Sequence, residues 1–528
     1  MQYSSAWQRY PGRIAATVIL ASTIVRLWFV ASGQLDLVQD ESQYWDWSRN
    51  LQMSYYSKGP LIAWIIHFWT SIFGDTELGV RIGAIVHSLL AQSILYVGVA
   101  HIMRKPSVGM WTIIIANTTP LFMASSILMT TDSPLLVCWS LALFALYRAS
   151  EREDAVLPYV TLAVSVAVGI LAKYLMVAMV GVALLYMAGL HRHNMLSLRF
   201  TRRTLFALAL GTVAGFTPIV LWNMQHDWVS FRHVGALAGF SSQPQQFFRL
   251  DRSLEYLGAQ IGLITPWWFI FMLAGAWRAM ALWRGSAAYA LRADMTEVRQ
   301  SMLLACGFWM LWGAFLLWSL HSRIYANWSA MSYVAGIILA ATAVDRGSLL
   351  LRRAAVAAPR RRFSFRALCV GLGIVTFVLV HGATYLPLPE RLNPSVRLMG
   401  WHDLGRKLSR LQQTLPDPDR VFFFSASYDM TASLAFYAPG QPIAYCADFG
   451  RRMSQYDLWP GPQGKTGWDA VYVGKDARPV PQQLYEMFAS VESQAYRTDH
   501  HGRPGRTFTI AVLRHFNGNW PQRDFSRF

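Results

Sequence analysis

Apolar and polar positions fall into long alternating blocks along this chain. From Arg13 to about Tyr385, apolar runs long enough to cross a bilayer recur, separated by short charged loops. After Leu386 the pattern turns polar, loop-rich and charge-mixed, without another spanning run. The pattern predicts an α-helical polytopic membrane domain over residues 1–385, with about eleven spans. A soluble α/β domain of roughly one small-domain length is expected over residues 386–528. The first run, from Ile14, is too long for a cleaved signal and lacks a small-residue cleavage site, so it reads as an anchor.

Composition agrees with that division. The 528 residues are 54% hydrophobic, too apolar for an ordinary soluble protein. Four cysteines are scattered, three of them (Cys138, Cys306, Cys369) in apolar runs, so neither a disulfide framework nor a cysteine metal site is indicated. A net charge of +18 invites a nucleic-acid reading, but its location argues against one. Much of the excess sits in loops between apolar runs: Arg104-Lys105, His191 to Arg203, Arg278 to Arg292 and Arg346 to Arg366. Such loops stay cytoplasmic by the positive-inside rule. The opposite face then receives the loop after the first span, Thr130-Thr131-Asp132, Lys173, the segment Leu221 to Val234, His321 to Trp328, and everything after Tyr385. The unusual polar motifs all fall on one face.

Those motifs carry the chemistry. Asp40 and Glu41 are adjacent, one helical turn ahead of Tyr44, and Lys58-Gly59-Pro60 places a cation at the foot of the next apolar run. Adjacent carboxylates at a membrane edge are costly to desolvate, so they need a task or a partner. A helix amino-terminal cap is the plain alternative. Asp132-Ser133-Pro134 opens a later span and reads equally as a helix start. Lys173 interrupts two apolar runs, which snorkelling to the interface would also explain. In LWNMQHDWVSFRHV an aromatic belt accounts for Trp222 and Trp228, but less well for His226, Asp227, Arg232 and His233 together. SLHSRIYANWSA adds Arg323, suited either to a phosphate or to a structural ion pair, and Asn327. No spacing matches a metal-ligand pattern, and the residues neither require nor exclude a divalent cation.

DESQYWDWS, YYSKGPLIAW, FGDTELGVRIGA and TTDSPLLVCWSLALFALYRA occur in that order, followed by KYLMV, LWNMQHDWVSFRHV, ITPWWF and IYANWSA. Together they resemble the bacterial GT-C glycosyltransferases of the protein-mannosyltransferase and lipid A aminoarabinose transferase type. The resemblance covers the membrane domain, and SASYDMTASLAFYAPGQP is similar to the start of the family's outer soluble domain. It implies a polyprenyl-phosphate-sugar donor, an envelope glycolipid or glycan acceptor, and no nucleic acid. It also implies a site on the periplasmic side of a bacterial inner membrane. On it, Asp40 is the general base, paired with Glu41, and Asp132 corresponds to the aspartate that opens the later span. Lys58, Lys173 and Arg323 fall where donor phosphate contacts are expected. From the residues themselves, Tyr44, His226, Arg232 and Asn327 are candidate substrate-binding groups. One position departs: the aminoarabinose transferases carry an acid before the first-loop lysine, and this chain has Ser57. That removes the family's reason to expect a metal contact there, or that particular sugar.

A rival of another class is a transporter or flippase of an anionic polyprenyl-linked lipid, which would also use intramembrane charges. Transporters tend to show paired repeats and midplane charges. Here no repeat is visible and the charges gather at one face.

Overall fold

A computed structural model describes residues 9–237, 248–285, 294–355, 365–382, 398–500 and 502–521. The expected domain boundary at residues 385/386 lies outside the described residues. The chain divides into two compact units: residues 1–28, 82–221 and 242–381 form the first, and 29–81, 222–241 and 382–528 the second.

The first unit is helical. Among the described residues of the whole chain, seven helices are long and apolar enough to span a bilayer, or eight if one bent pair is a single span. The expected count of about eleven is not reached. Two of the apolar runs make helices of only 13 and 16 residues, Leu61–Phe73 and Leu157–Ala172. At 1.5 Å per residue these are about 20 and 24 Å long, short of a hydrocarbon core of about 30 Å. Another run is broken into Pro106–Asn117 and Pro120–Ser125. Hydropathy registers all of these as candidate spans because it senses composition and not helix breaks. The bent pair is Leu250–Ile264 and Pro266–Trp283, which meet at 105°. Its break has a local cause: Thr265 takes a φ of +72°, and Pro266 has no N–H to continue the ladder.

Small residues let these helices approach closely. Gly211 and Gly215, one turn apart on Leu198–Met224, lie against the backbone carbonyls of Ala163 and Ala167, where any Cβ would collide. Some polar residues buried within the unit pair with one another. Arg26 donates to Asn117 Oδ1 at 2.7 Å and to Ser88 Oγ at 3.2 Å, and Asn117 donates to Gln92 Oε1 at 2.6 Å.

The second unit contains a five-stranded mixed sheet in the order β2-β1-β3-β5-β4. Its strands are β1 (Val421–Ser425), β2 (Ala444–Cys446), β3 (Asp469–Lys475), β4 (Phe488–His500) and β5 (Arg503–Phe516). β1 runs parallel to β2 and β3, whereas β5 runs antiparallel to β3 and β4. Strand β1, VFFFS, is buried throughout, as a central parallel strand covered on both faces should be. Phe422, Phe424, Phe488 and Phe516 pack together on one face. The helices Trp401–Gln413 and Tyr428–Tyr437 complete the α/β arrangement read from the sequence.

This unit also gathers the first loop. Trp45 meets Phe436 edge-to-face at 4.9 Å. The Leu37 N–H donates to Tyr437 Oη at 2.6 Å, and the Trp401 N–H to Asp36 Oδ2 at 2.6 Å. Residues 36 to 48 are therefore held by the sheet domain's own helices.

Candidate active site

Two groups of the expected site residues are assembled, one within each unit. In the second unit the centre is the helix Gln39–Ser48. Its start is fixed by Glu41, whose carboxylate accepts the Val38 N–H at 2.9 Å, half of a capping box. The same carboxylate takes Arg81 through Nη2 at 2.7 Å and Nε at 3.0 Å, with both side chains almost wholly buried. Arg81 donates further to the carbonyls of Leu35 and Asp36, each at 2.7 Å. Glu41 is thus the anchor of the turn that precedes the helix.

Asp40 is the opposite case. Its side chain is exposed, and among the described residues no group donates a hydrogen bond to its carboxylate. The protein packed around it raises its proton affinity above the ordinary range; Lys58 pulls it down, while Asp429 and Glu41 push it up. A carboxylate that is open, unbonded and less acidic than usual has the properties of a general base. Lys58, half-buried, is the cation nearest in influence to it, and its carbonyl accepts the Tyr55 N–H at 3.1 Å.

Farther along the helix Asp46 is buried. It accepts the Tyr456 hydroxyl at 2.7 Å and Arg49 Nη1 at 3.3 Å. Burial pushes its pKa up to about 6, with Tyr456 and Arg49 pulling the other way. The cavity it lines, about 510 Å³, also includes Asn50, Gln52, Trp459 and Trp520. Tyr44 is buried with its ring edge-on to Trp47 at 5.2 Å. His226 stacks flat on Trp222 at 3.9 Å, and its Nδ1 lies 2.8 Å from the Trp222 carbonyl. Arg232 is exposed.

In the first unit Asp132 opens the helix Asp132–Glu151. Lys173 Nζ lies 2.7 Å from its Oδ1, and Asn327 Nδ2 donates to its Oδ2 at 3.1 Å. Three of the expected residues, from three separate stretches of sequence, therefore meet. The contacts engage both carboxylate oxygens, so Asp132 is an ion-paired group and Lys173 its counter-ion. Arg323 is not part of this group: it pairs with Glu255 at 2.7 Å, with the two side chains 70% and 55% exposed.

One grouping of metal-ligating type occurs among the described residues, Asp36, Glu77 and His402, with ligand atoms within 4.8 Å of one another. His402 Nε2 sits 2.6 Å from Glu77, and that hydrogen bond raises the proton affinity of the imidazole.

Sequence reading missed Arg81 as the lock on Glu41, Tyr456 as the partner of Asp46, and the residues of the 451–457 loop. Arg81 carried a signal, a lone arginine within an apolar helix, which in a membrane protein demands a partner. Tyr456 and its loop carried none.

The chain is similar in sequence and fold to known proteins. The family profile described as dolichyl-phosphate-mannose-protein mannosyltransferase matches residues 57–222. The lipid A galacturonosyltransferase RgtD of Rhizobium johnstonii is 30% identical over 336 residues, 62% of this chain and 65% of that protein. The undecaprenyl phosphate-α-4-amino-4-deoxy-L-arabinose arabinosyl transferase of Pseudomonas aeruginosa is 24% identical over 49% of this chain and 45% of its own length. The chain thus spans just under two thirds of the first of these relatives and less than half of the second. The structure of ArnT from Cupriavidus metallidurans bound to undecaprenyl phosphate superposes with a TM-score of 0.57 at 18% identity, covering 94% of this chain and 97% of that one. The Archaeoglobus fulgidus oligosaccharyltransferase gives 0.54 at 12% identity, over 89% and 70%. In fold the chain resembles these two solved membrane proteins, and in sequence it is similar to the mannosyltransferase family over residues 57–222 and to a lipid A galacturonosyltransferase over 62% of its length.

Proposed function

We propose that the protein is an inverting glycosyltransferase of a bacterial inner membrane. It moves a sugar from a polyprenyl-phosphate donor to lipid A or a related envelope glycolipid, with the first loop and the sheet domain, residues 386–528, facing the periplasm. The named relatives act on lipid A or use an undecaprenyl phosphate-linked sugar, which supports both the donor and the acceptor class. The observation that carries the reading is the contrast among its three candidate acids: Glu41 and Asp132 are committed to cations, and Asp40 alone is open and unbonded beside a lysine.

In the proposed step Asp40 takes the proton of the acceptor hydroxyl. The acceptor oxygen bonds to the anomeric carbon from the face opposite the phosphate. The bond from that carbon to the phosphate oxygen breaks, and its electron pair leaves with the polyprenyl phosphate. Lys58 stabilises the growing charge on the leaving group, an electrostatic contribution made where charge develops. Glu41 and Arg81 act through position: they fix the turn on which Asp40 stands. Asp132, Lys173 and Asn327 hold one another within the first unit.

The test is transfer in detergent micelles, where neither gradient nor sidedness exists. Purified protein is given lipid A and a polyprenyl phosphate carrying galacturonic acid or 4-amino-4-deoxyarabinose. Lipid A gaining the mass of one sugar supports the reading. No product with either donor, alongside lipid translocation in reconstituted vesicles, would replace it with the transporter.

A further inference from the structure

The cavity of about 510 Å³ that Asp46 lines lies wholly within the second unit, and the proposed transfer step leaves it unused. Its volume is in the range of cavities that hold small organic ligands. The floor is buried, with Asp46 5% and Tyr456 6% exposed. Arg49, Asn50 and Pro460 on its lining are exposed, so it opens to solvent. Two of its walls are indole rings. Trp459 is set edge-on to Tyr456 at 5.4 Å, and Trp520 edge-on to Phe424 at 5.3 Å. Both rings are fixed by packing yet only partly buried, so part of each is left for a ligand.

The charges of the lining are matched within the protein. Asp46 is met by Arg49 and Tyr456, Asp457 by Arg451, and Asp448 by the N–H groups of Gly450 and Arg451. A phosphate would therefore meet three carboxylates and an arginine that is already paired. An apolar ligand would cover these polar groups without bonding them, which is costly. Hydrogen-bonding capacity nevertheless remains. The Asn50 carboxamide makes no hydrogen bond among the described residues. Arg49 donates only through Nη1, to Asp46 and to the Pro442 carbonyl, which leaves Nε and Nη2. Asp46 accepts one bond on each oxygen and has capacity for more. Donors, acceptors and aromatic faces without excess charge suit a sugar ring. Its hydroxyls both donate and accept, and its C–H face lies flat on an indole.

Asp40 and Asp46 stand on the same helix, Gln39–Ser48, about 9 Å apart along its axis and roughly 120° apart around it. Successive rings of one glycan can bridge that separation. Resting on the glycosyl-transfer reading, we infer that the cavity is a saccharide subsite holding a further, non-reacting ring of the acceptor glycan. Trp459 and Trp520 take the C–H face of that ring, and Asn50, Arg49 and Asp46 bond its hydroxyls. The sheet domain thus selects the acceptor by a sugar that does not react.

The experiment uses the full chain in micelles with two water-soluble probes, the deacylated lipid A disaccharide and the oligosaccharide released from rough lipopolysaccharide. Binding is read by saturation-transfer NMR, and KM and kcat for lipid A are measured on the same preparations. Asn50→Ala removes an exposed group with no internal bond to lose, so it is compatible with folding. It is compared with Trp459→Ala, with the conservative Trp459→Phe, and with Gln494→Ala as a control. Gln494 is exposed on β4, the edge strand opposite β2, and β2 lines the cavity. The wild type should bind at least one probe, and inorganic phosphate should not displace it. Asn50→Ala and Trp459→Ala should weaken binding and raise KM about tenfold, with the effect falling on KM and not on kcat. Trp459→Phe should keep part of the affinity, and the control should match the wild type. Absence of sugar binding, displacement by phosphate, a normal KM in Asn50→Ala, or a loss confined to kcat overturns the inference. If the wild type transfers sugar and the variants keep its KM, only this inference fails. If the wild type transfers nothing from either donor yet binds oligosaccharide through Asn50 and Trp459, the transferase reading fails and the sugar site stands.

Discussion

The two acidic centres are built on opposite plans. In the first unit Asp132 is closed: an ammonium engages one oxygen, a carboxamide the other, and the side chains are 10% and 15% exposed for acid and lysine. In the second unit the work is divided between neighbours. Glu41 takes the arginine and the helix cap, and Asp40 is left open. Adjacency in sequence is what permits this. Successive residues of a helix point about 100° apart, so one acid can face inward to a lock while the next faces out to substrate. The lesson is that an adjacent acid pair need not be two catalytic groups. One can be the mount of the other.

The comparison can be broken at the lock. Arg81→Met leaves Glu41 buried without its cation, and removing one partner of a buried pair costs about 3–5 kcal/mol. Thermal unfolding in micelles should show a large loss, and Glu41→Gln combined with Arg81→Met should recover part of it. Full stability of the single variant would mean that Glu41 is not locked. Lys173→Met should cost less, because Asn327 still serves Asp132 and the pair retains some solvent. An effect on stability that exceeds the effect on per-molecule turnover would mark Lys173 as structural, and the reverse pattern would return it to the substrate phosphate.

Asp46 sharpens the contrast through pH. Its folded pKa lies above its ordinary value of 3.8, at about 6, so the folded state holds its proton more tightly than the unfolded chain. The stability it contributes is present in full below about pH 4 and lost as pH rises through about 6. Asp46→Asn cannot ionise but still accepts from Tyr456. Relative to wild type it should therefore gain stability above about pH 6 and show no gain below about pH 4; a gain that does not vary with pH would contradict this. The smallest effect is expected at Arg323. Its exposed pair with Glu255 is of a kind contributing about 0–1 kcal/mol, discounted further by solvent, so Arg323→Gln should change transfer less than about twofold. A tenfold fall would show that Arg323 leaves Glu255 to meet the donor.

How far the sequence could be read followed the range of the interactions. Asp40, Glu41 and Lys58 lie within one loop, and their chemistry was visible as a cluster. Asp132 and Lys173 were placed on the same face by charge asymmetry alone, and the structure joins them at 2.7 Å. The partners that decide which acid is open are remote in sequence. Arg81 is 40 residues from Glu41, Asn327 is 195 from Asp132, and Tyr456 is 410 from Asp46. Nothing in a local window specifies such pairings. The span count of about eleven is not confirmed among the described residues for a related reason, because a proline or a positive φ ends a helix without altering mean hydropathy. The α/β character of the last domain was legible because VFFFS and its neighbours alternate with helical segments.

The central claim is that Asp40 is the base and the other acids are not. Its most direct test is the pH dependence of sugar transfer by the wild type, Asp40→Asn and Asp132→Asn in micelles, with folding checked for each. The account predicts a wild-type rate that rises with pH through a pKa above the ordinary carboxylate range, the direction in which the loss of hydration near the protein shifts Asp40. Asp40→Asn should lower the rate roughly a hundred- to ten-thousand-fold and abolish that limb, while Asp132→Asn should keep the limb at a reduced rate. A near-normal rate in Asp40→Asn, or loss of the limb in Asp132→Asn instead, would contradict the account.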